Sequence, residues 1–509
     1  MDITGGNLGF NGHHQATKAF TCDEVFLKHI DPQTGEVEVS SPVIKLNDYL
    51  SITPPEDRLR LLGLANSLKG RKISFVNATA AGGGVAIMRT AQRFLLKELG
   101  VDVRWFVTEP NEEAFKITKG CFHNVFQGVA DNWLTDADME IYRQWTGHNA
   151  QRMEAELAKS DIVVIDDPQP SGLIPHIKKI NPNVKIIFRN HIHSLGNLMG
   201  KKGTVQNHSW QFLWKNGISR ADLYVYHPVE DFIPANVAPE KTVLMPPSTD
   251  PLDGLNRNLT DEEIRRGLEF INEKLELNGH QNPIDLGRRY ITQIARFDPS
   301  KGIPDVLEAY SLFYKKMTEN GFTKASIPQL VIAGNGSVDD PDGIPVLEDT
   351  MKKREHLYKD IADDIKVVRI PHNDQALNAL LRASFIVLQL STREGFEFKV
   401  TEAIMKGKPV IASEVGGIPL QIIPGESGYV VKPGDTRQVA EHLFSLVTQP
   451  EMYRRLSTGA LRLASAKNYE FTTVPNLINW LWLFRELLEN PDFKGNRQNV
   501  KDLVDGGRL

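Results

Sequence analysis

A chain of 509 residues, 41% hydrophobic and 24% charged, has the size and balance of two ordinary globular domains and too much apolar content for a disordered polymer. Its net charge of −5 is spread without long runs of one sign, which argues against nucleic acid as the main partner. No apolar run reaches the ~18 residues of a membrane span, and MDITGGNLGFNG lacks the basic and apolar regions of a secretory leader, so no membrane association and a cytoplasmic location are expected.

Residues 1–70 are the least readable part and are expected to form an extension packed on the first domain. Within it, Glu24–His29 and Glu36–Val43 read as strands of a hairpin turned at Asp31–Gly35. Ile73–Asn77 is a short apolar strand, and Val85–Leu99 has a helical pattern stopped by Gly100. Val101–Val107, Ile162–Asp166, Lys185–Arg189 and Leu223–Tyr226 read as further strands, with helices between them. Continuous apolar strands alternating with helices mean a parallel sheet covered on both faces.

Asp250–Gly287 is polar and carries a charged helical stretch, Thr260–Leu275, in which Thr260 and Glu263 fit a capping box. A second series of strands follows at Tyr290–Ala295, Gln329–Ala333, Ile365–Arg369, Phe385–Leu390 and Pro409–Ala412. The fold class is therefore α/β, with two Rossmann-like domains, 71–285 and 286–470, facing a central cleft, and helices in 471–509. Thr472–Leu488 is amphipathic and rich in Trp and Leu; Trp210, Trp214, Trp480 and Trp482 read as core. Cys22 and Cys121 are too few and too far apart for a disulfide framework and read as thiols in a reducing compartment. No His/Cys cluster has metal-ligand spacing and Asp339–Asp342 reads as a polar loop, so neither a metal nor a cofactor is expected.

The most informative stretch is Leu390 to Gly417, LSTREGFEFKVTEAIMKGKPVIASEVGG. Glu394 falls in the loop after a strand, and Glu402 falls inside the following helix, which Gly407 stops. Ligands of open α/β sheets bind at those carboxyl ends, and two carboxylates around one pocket suit a ligand rich in hydroxyls. Ala81-Gly82-Gly83-Gly84-Val85 follows a strand and opens a helix, which brings backbone N–H groups and a helix N-terminus to an anion. The competing reading is a tight turn needing positive φ; the spacing is not G-x-G-x-x-G, so nicotinamide is not expected. Arg296 and Lys301, shaped by Pro299 and Gly302, stand at a strand's carboxyl end, where two cations either clamp a phosphate or simply solvate a helix start. His191 follows strand Lys185–Arg189; a histidine there is more often a structural hydrogen-bonder, His193 nearby reads as a decoy, and Arg189 adds charge to the cleft.

The E-x7-E spacing headed by EGF resembles the signature of retaining GT-B glycosyltransferases, and the longer string is similar to that of retaining trehalose phosphorylases and the related trehalose glycosyltransferring synthases. Seven further stretches, in order, carry the same resemblance across roughly residues 70 to 440: NATAAGGGVAIM, FHNVFQG, DDPQPSGLIP, FRNHI, ADLYVYHP, PPSTDPLDGLN and ARFDPSKGIPDVL. The resemblance implies a GT-B fold whose final helices cross back onto the first domain. It places Gly83 and Gly84 against the donor phosphate and sugar, Arg296 and Lys301 against the departing phosphate, and His191 near the glucose ring. Glu394 would contact donor hydroxyls rather than act as a nucleophile, with Gly395, Phe396 and Glu397 beside it. Glu402 would bind ribose in a nucleotide-sugar enzyme; in a phosphorylase it would be structural or organise Arg296 and Lys301. His123, Asn124, Gln127, Asp166, Asp167 and Gln169 fall on the acceptor side.

Three functions follow. The first is a trehalose phosphorylase, exchanging α,α-trehalose and phosphate for α-D-glucose 1-phosphate and D-glucose. The second is a synthase transferring glucose from UDP- or ADP-glucose to glucose. The third is a silent sugar-binding scaffold, against which stand His191, Arg296, Lys301 and Glu394 together. Glu397 favours the first, because the nucleotide-sugar enzymes usually read EGFG where this chain reads EGFE. The implied partners are small sugars and phosphate, with a homodimer left open. One small donor touching both domains requires closure, with hinges expected near Asp285–Arg288 and Glu470–Pro475.

Overall fold

The computed structural model describes residues 24–81, 83–279, 281–335, 343–371, 373–465 and 470–506; Cys22, Gly82 and Asp339–Asp342 lie outside them. The short apolar runs of the first half pair as one parallel seven-stranded sheet. From one edge its order is Gln498–Asn499, Thr242–Leu244, Leu223–Tyr226, Lys185–Arg189, Ile162–Asp166, Lys72–Asn77 and Asp102–Val107. Every residue of Ile162–Asp166 is buried, as a strand covered on both faces must be. Its register sets Asp166 beside Arg189 at the carboxyl edge. The second half forms a six-stranded parallel sheet in the order Ile365–Ile370, Gln329–Asn335, Tyr290–Ile294, Ile386–Gln389, Val410–Ser413 and Gly428–Val431.

The hairpin of the extension is present as Leu27–Ile30 against Val37–Ser40, antiparallel. Val37 and Val39 are buried in the first domain's core, and Glu36 bridges to Phe106 on the edge strand. Two helices after it, Leu46–Ile52 and Pro55–Ser67, have no clear period in sequence. Leu61 and Leu64 face the core while Leu59 and Leu62 face solvent, so apolar residues fall on both sides. Three strands, Thr242–Leu244, Gly428–Val431 and Gln498–Asn499, are two to four residues long, too short for a period to show.

The domain boundary differs from the expected one. Helix Asp261–Gly279 begins with the expected capping box, Thr260 and Glu263 exchanging bonds at 2.8 and 3.2 Å. Its Leu268, Ile271 and Leu275, however, pack with Leu380 and Leu381 in the second domain. The chain therefore leaves the first domain near Thr249, not near residue 285. The hinge expected at Asp285–Arg288 is likewise displaced: Arg288 is held inside the second domain by Asp364 at 2.7 Å.

The chain returns at Phe471–Thr473, where the Thr249 N–H donates to the Phe471 carbonyl at 2.9 Å, so both crossings run side by side. Asp250 fastens them: its carboxylate accepts from Tyr49 of the extension at 2.9 Å and from Thr473 at 2.6 Å. Helix Thr473–Glu489 then lies back on the first domain, as a C-terminal helix crossing back requires, with Trp480 edge-on to Phe75 at 5.8 Å. Trp210 and Trp482 are also core residues, Trp214 is half-buried against Tyr224, and Cys121 is a buried free thiol. Trp480→Ala should lower stability in a urea titration by about 3–5 kcal/mol, against under ~0.5 kcal/mol for Trp133→Ala on the surface; equal effects would refute the return helix as part of that core.

Candidate active site

The carboxyl ends of both sheets open onto one cavity of ≈ 430 Å³. Gly83 is extended and starts helix Gly84–Glu98, whose first turn, with its N–H groups outside the helix's own bonding, lines the cavity. Two glycines lie where the domains touch. A Cβ on Gly395 would lie 2.5 Å from the His191 carbonyl oxygen, and one on Gly84 would overlap the Phe398 ring. His193, expected as a bystander, bonds the Glu394 carbonyl through Nδ1 at 3.2 Å, and the His227 and Phe396 rings lie 6.0 Å apart. The domains are thus already in contact on one side of the cavity.

The first-domain wall is built on Asp166. Arg89 grips both its oxygens at 2.7 and 2.8 Å, and His191 Nε2 meets Oδ1 at 2.9 Å. Burial opposes its ionisation, yet Arg89 and His191 hold it well below the usual carboxylate range. Asp167, left-handed at φ 69, accepts the His191 N–H at 2.6 Å, but burial and then the Asp166 charge push it up to about 7. Burial, reinforced by Arg189, lowers His191 to about 4, so its ring is neutral near pH 7. His123, Gln127 and Gln169 line the same side, and burial beside Lys119 and Arg296 lowers His123 to about 3.

The second-domain wall is an ion cluster. Lys301 bonds Glu394 and, at 2.8 Å, Glu397. Burial works against its charge, but the two carboxylates hold the ammonium well above its ordinary value. Burial and the neighbouring Glu397 keep the Glu394 carboxyl above its usual range. Arg296 lines the cavity beside Asp298, 3.8 Å away. Gly395 and Phe396 lie between the walls.

Of the acceptor-side residues expected from sequence, Asn124 does not line the cavity. Glu402 does, but it does not organise Arg296 and Lys301: it is buried and bound by Lys399 at 2.6 Å, one helical turn away. Arg189 adds no charge to the cleft surface; it lies buried below, directing Nη2 at His227 over 3.4 Å. Arg89, His227 and Lys399 join the site without being expected from the sequence. The signal for Arg89 was an arginine inside the apolar stripe of AIMRTAQRFLL.

Residues 75–234 match the family model described as trehalose synthase, N-terminal domain, and residues 276–462 match glycosyl transferases group 1. Over 425 residues the chain is 36% identical to a trehalose synthase of Pyrococcus horikoshii, covering 83% of this chain and 92% of that one. The chain belongs to the trehalose phosphorylase and trehalose synthase family of GT-B glycosyltransferases. It is 43% identical over 463 residues to a trehalose phosphorylase of Pleurotus pulmonarius, across 87% of this chain but 61% of that longer relative. A UDP-forming α,α-trehalose-phosphate synthase from Burkholderia xenovorans, solved with glucose-6-phosphate, shares the GT-B fold at a TM-score of 0.64 and 15% identity, covering 83% of this chain and 100% of that one.

Because the GT-B cleft closes on glycine, Gly395→Ala should force the domains apart: the atom it meets is backbone and cannot swing away. Small-angle scattering should give a larger radius of gyration for this variant than for the parent chain, and superimposable profiles would refute the contact.

Proposed function

We propose that the chain is a retaining glucosyltransferase acting as a trehalose phosphorylase, exchanging α,α-trehalose and phosphate for α-D-glucose 1-phosphate and D-glucose. The observation that carries phosphate over nucleotide is the placement of Glu397. It sits in the left-handed region at φ 70, where glycine is the easy residue. From there its carboxylate caps helix Phe398–Met405 through the Lys399 N–H at 3.3 Å and holds Lys301. A diphosphate seeking that helix N-terminus would meet a carboxylate already in place. Glu402, clasped by Lys399 and buried, is poorly presented to a ribose. The 43% identity to a protein named trehalose phosphorylase, against 36% for one named trehalose synthase, supports the same reading.

In this reading the transferred glucose lies between the Gly83–Gly84 loop and Glu394, and phosphate lies against Arg296 and Lys301. Hydrogen phosphate attacks the anomeric carbon on the face that the leaving glucose departs from, and its proton passes to the glycosidic oxygen. The C1–O bond to glucose breaks as the C1–O bond to phosphate forms. In the reverse direction negative charge grows on the departing phosphate, and preset cations stabilise that transition state more than the ground state. His123, Gln127, Asp167 and Gln169 surround the second glucose, with Asp166 buried behind them and bound to Arg89 and His191.

Transfer from a nucleotide sugar is the second reading, favoured by one observation: the chain covers 92% of the synthase and only 61% of the phosphorylase. Incubation with trehalose and phosphate, and separately with UDP- or ADP-glucose and glucose, decides between them; turnover in the second mixture alone would overturn the proposal. Lys301→Ala and Arg296→Ala should each lower turnover by about 10²-fold or more. Near-normal rates in either folded variant would refute its role. Glu397→Gly should weaken phosphorolysis and create calorimetrically measurable UDP or ADP binding that the parent chain lacks; unchanged nucleotide binding would remove Glu397 as the discriminator.

A further inference from the structure

One interaction in the cleft wall reaches back to both interdomain crossings. Arg89, 1% exposed, lies with its guanidinium carbon 3.8 Å from the Phe75 ring centroid and 5.2 Å from that of Trp480 on the return helix. Its Nε and Nη2 take the two Asp166 oxygens, and Nη1 donates to Gln92 at 2.5 Å. Gln92 donates to Asn476 at 2.9 Å, and Asn476 donates to the Pro246 carbonyl at 2.9 Å. The guanidinium is therefore fixed from behind by the segments through which the chain enters and leaves the second domain.

We propose that Arg89 is a positioning residue that sets the tautomer of His191 through Asp166. An ionised carboxylate only accepts hydrogen bonds, so His191 must donate from Nε2. A neutral imidazole carries one N–H, which leaves Nδ1 as an acceptor for a hydroxyl in the cleft. A protonated Asp166 could donate instead, the ring would carry its hydrogen on Nδ1, and the group offered to the ligand would change from acceptor to donor. Burial alone drives Asp166 toward that acid form. Among the other groups facing the pair, Arg189 also favours the ionised form, but it makes no hydrogen bond to Asp166. Arg189 directs Nη2 at His227, Asp167 is a second acid, and His227 donates from Nε2 to the His191 carbonyl at 2.9 Å. The step from tautomer to turnover rests on the function proposed above; the tautomer itself does not.

The test is histidine ¹⁵N NMR on the full chain, with the His191 signals assigned by their loss in His191→Gln. The parent should show the Nε2–H tautomer, uncharged at pH 6. In Arg89→Met this preference should be lost. Removing a positive charge near both Asp166 and His191 raises the pKa of each, so the acid limb of kcat should move up by about one pH unit or more. kcat should fall about 10- to 100-fold with the KM for phosphate within about twofold. Arg89→Lys keeps the charge and should restore the tautomer and the pH profile. Should Arg89→Met not fold, the neutral pair Arg89→Met with Asp166→Asn removes the uncompensated buried carboxylate and should also lose the Nε2–H preference. A folded Arg89→Met with the parent tautomer, or Arg89→Met and Arg89→Lys with the same pH profile, overturns the proposal. A parent chain without phosphorolysis sinks the proposed function, while the NMR still decides the role of Arg89.

Discussion

The site exists because two backbones can touch. Gly395 of the second domain lies against the His191 carbonyl of the first, and Gly84 of the first lies under the Phe398 ring of the second. A side chain at Gly395 would meet backbone and hold the sheets apart, whereas one at Gly84 would have to displace the Phe398 ring, and interiors do not absorb such mismatches cheaply. This contact brings Glu394 and Lys301 from one sheet opposite His191 and Asp166 from the other around a single cavity. Neither wall alone offers both a fixed anion with a neutral imidazole and a cation pair, so the chemistry depends on the meeting of domains more than on either Rossmann-like unit.

The walls solve the problem of buried charge in opposite ways. In the first domain one carboxylate, Asp166, is matched by a bidentate arginine, and the histidine beside it stays neutral. In the second, one ammonium, Lys301, is shared by two carboxylates, one of which is held above its usual protonation range. An uncompensated charge in either place would be expensive. Lys301 thus divides its charge between two carboxylates, whereas Arg89 and Asp166 form a one-to-one pair.

The extension is structural in a specific sense. Lys28 on its hairpin donates to the Ala80 carbonyl at 2.8 Å, immediately before the glycine loop. Tyr49, farther along, reaches the Asp250 carboxylate that also holds Thr473. Residues before the first Rossmann-like strand therefore brace both the glycine loop and the pair of crossings, two places where an unsupported backbone would fluctuate.

Sequence alone determined the class of fold and picked out residues that line the cavity between the domains. Apolar runs of five or so residues alternating with amphipathic helices allow few arrangements other than parallel sheets, and the residues at strand ends, His191, Arg296, Lys301 and Glu394, lie at the cleft because strand ends are where such sheets bind. Tertiary structure decided what local pattern cannot encode. Helix Asp261–Gly279 has a polar sequence context and joins the second domain through Leu268, Ile271 and Leu275, a choice made by which core has room for them. Glu402 was legible as a cleft residue, but its partner Lys399 is chosen by helical proximity over the more distant Lys301. Arg89 reads as one charge in an apolar stripe; that it belongs to Asp166, 77 residues away, follows only from the register that places the two strands and the helix between them side by side. Periodicity records which face a residue takes, whereas pairing between distant charges is set by the packing that removes water from around them.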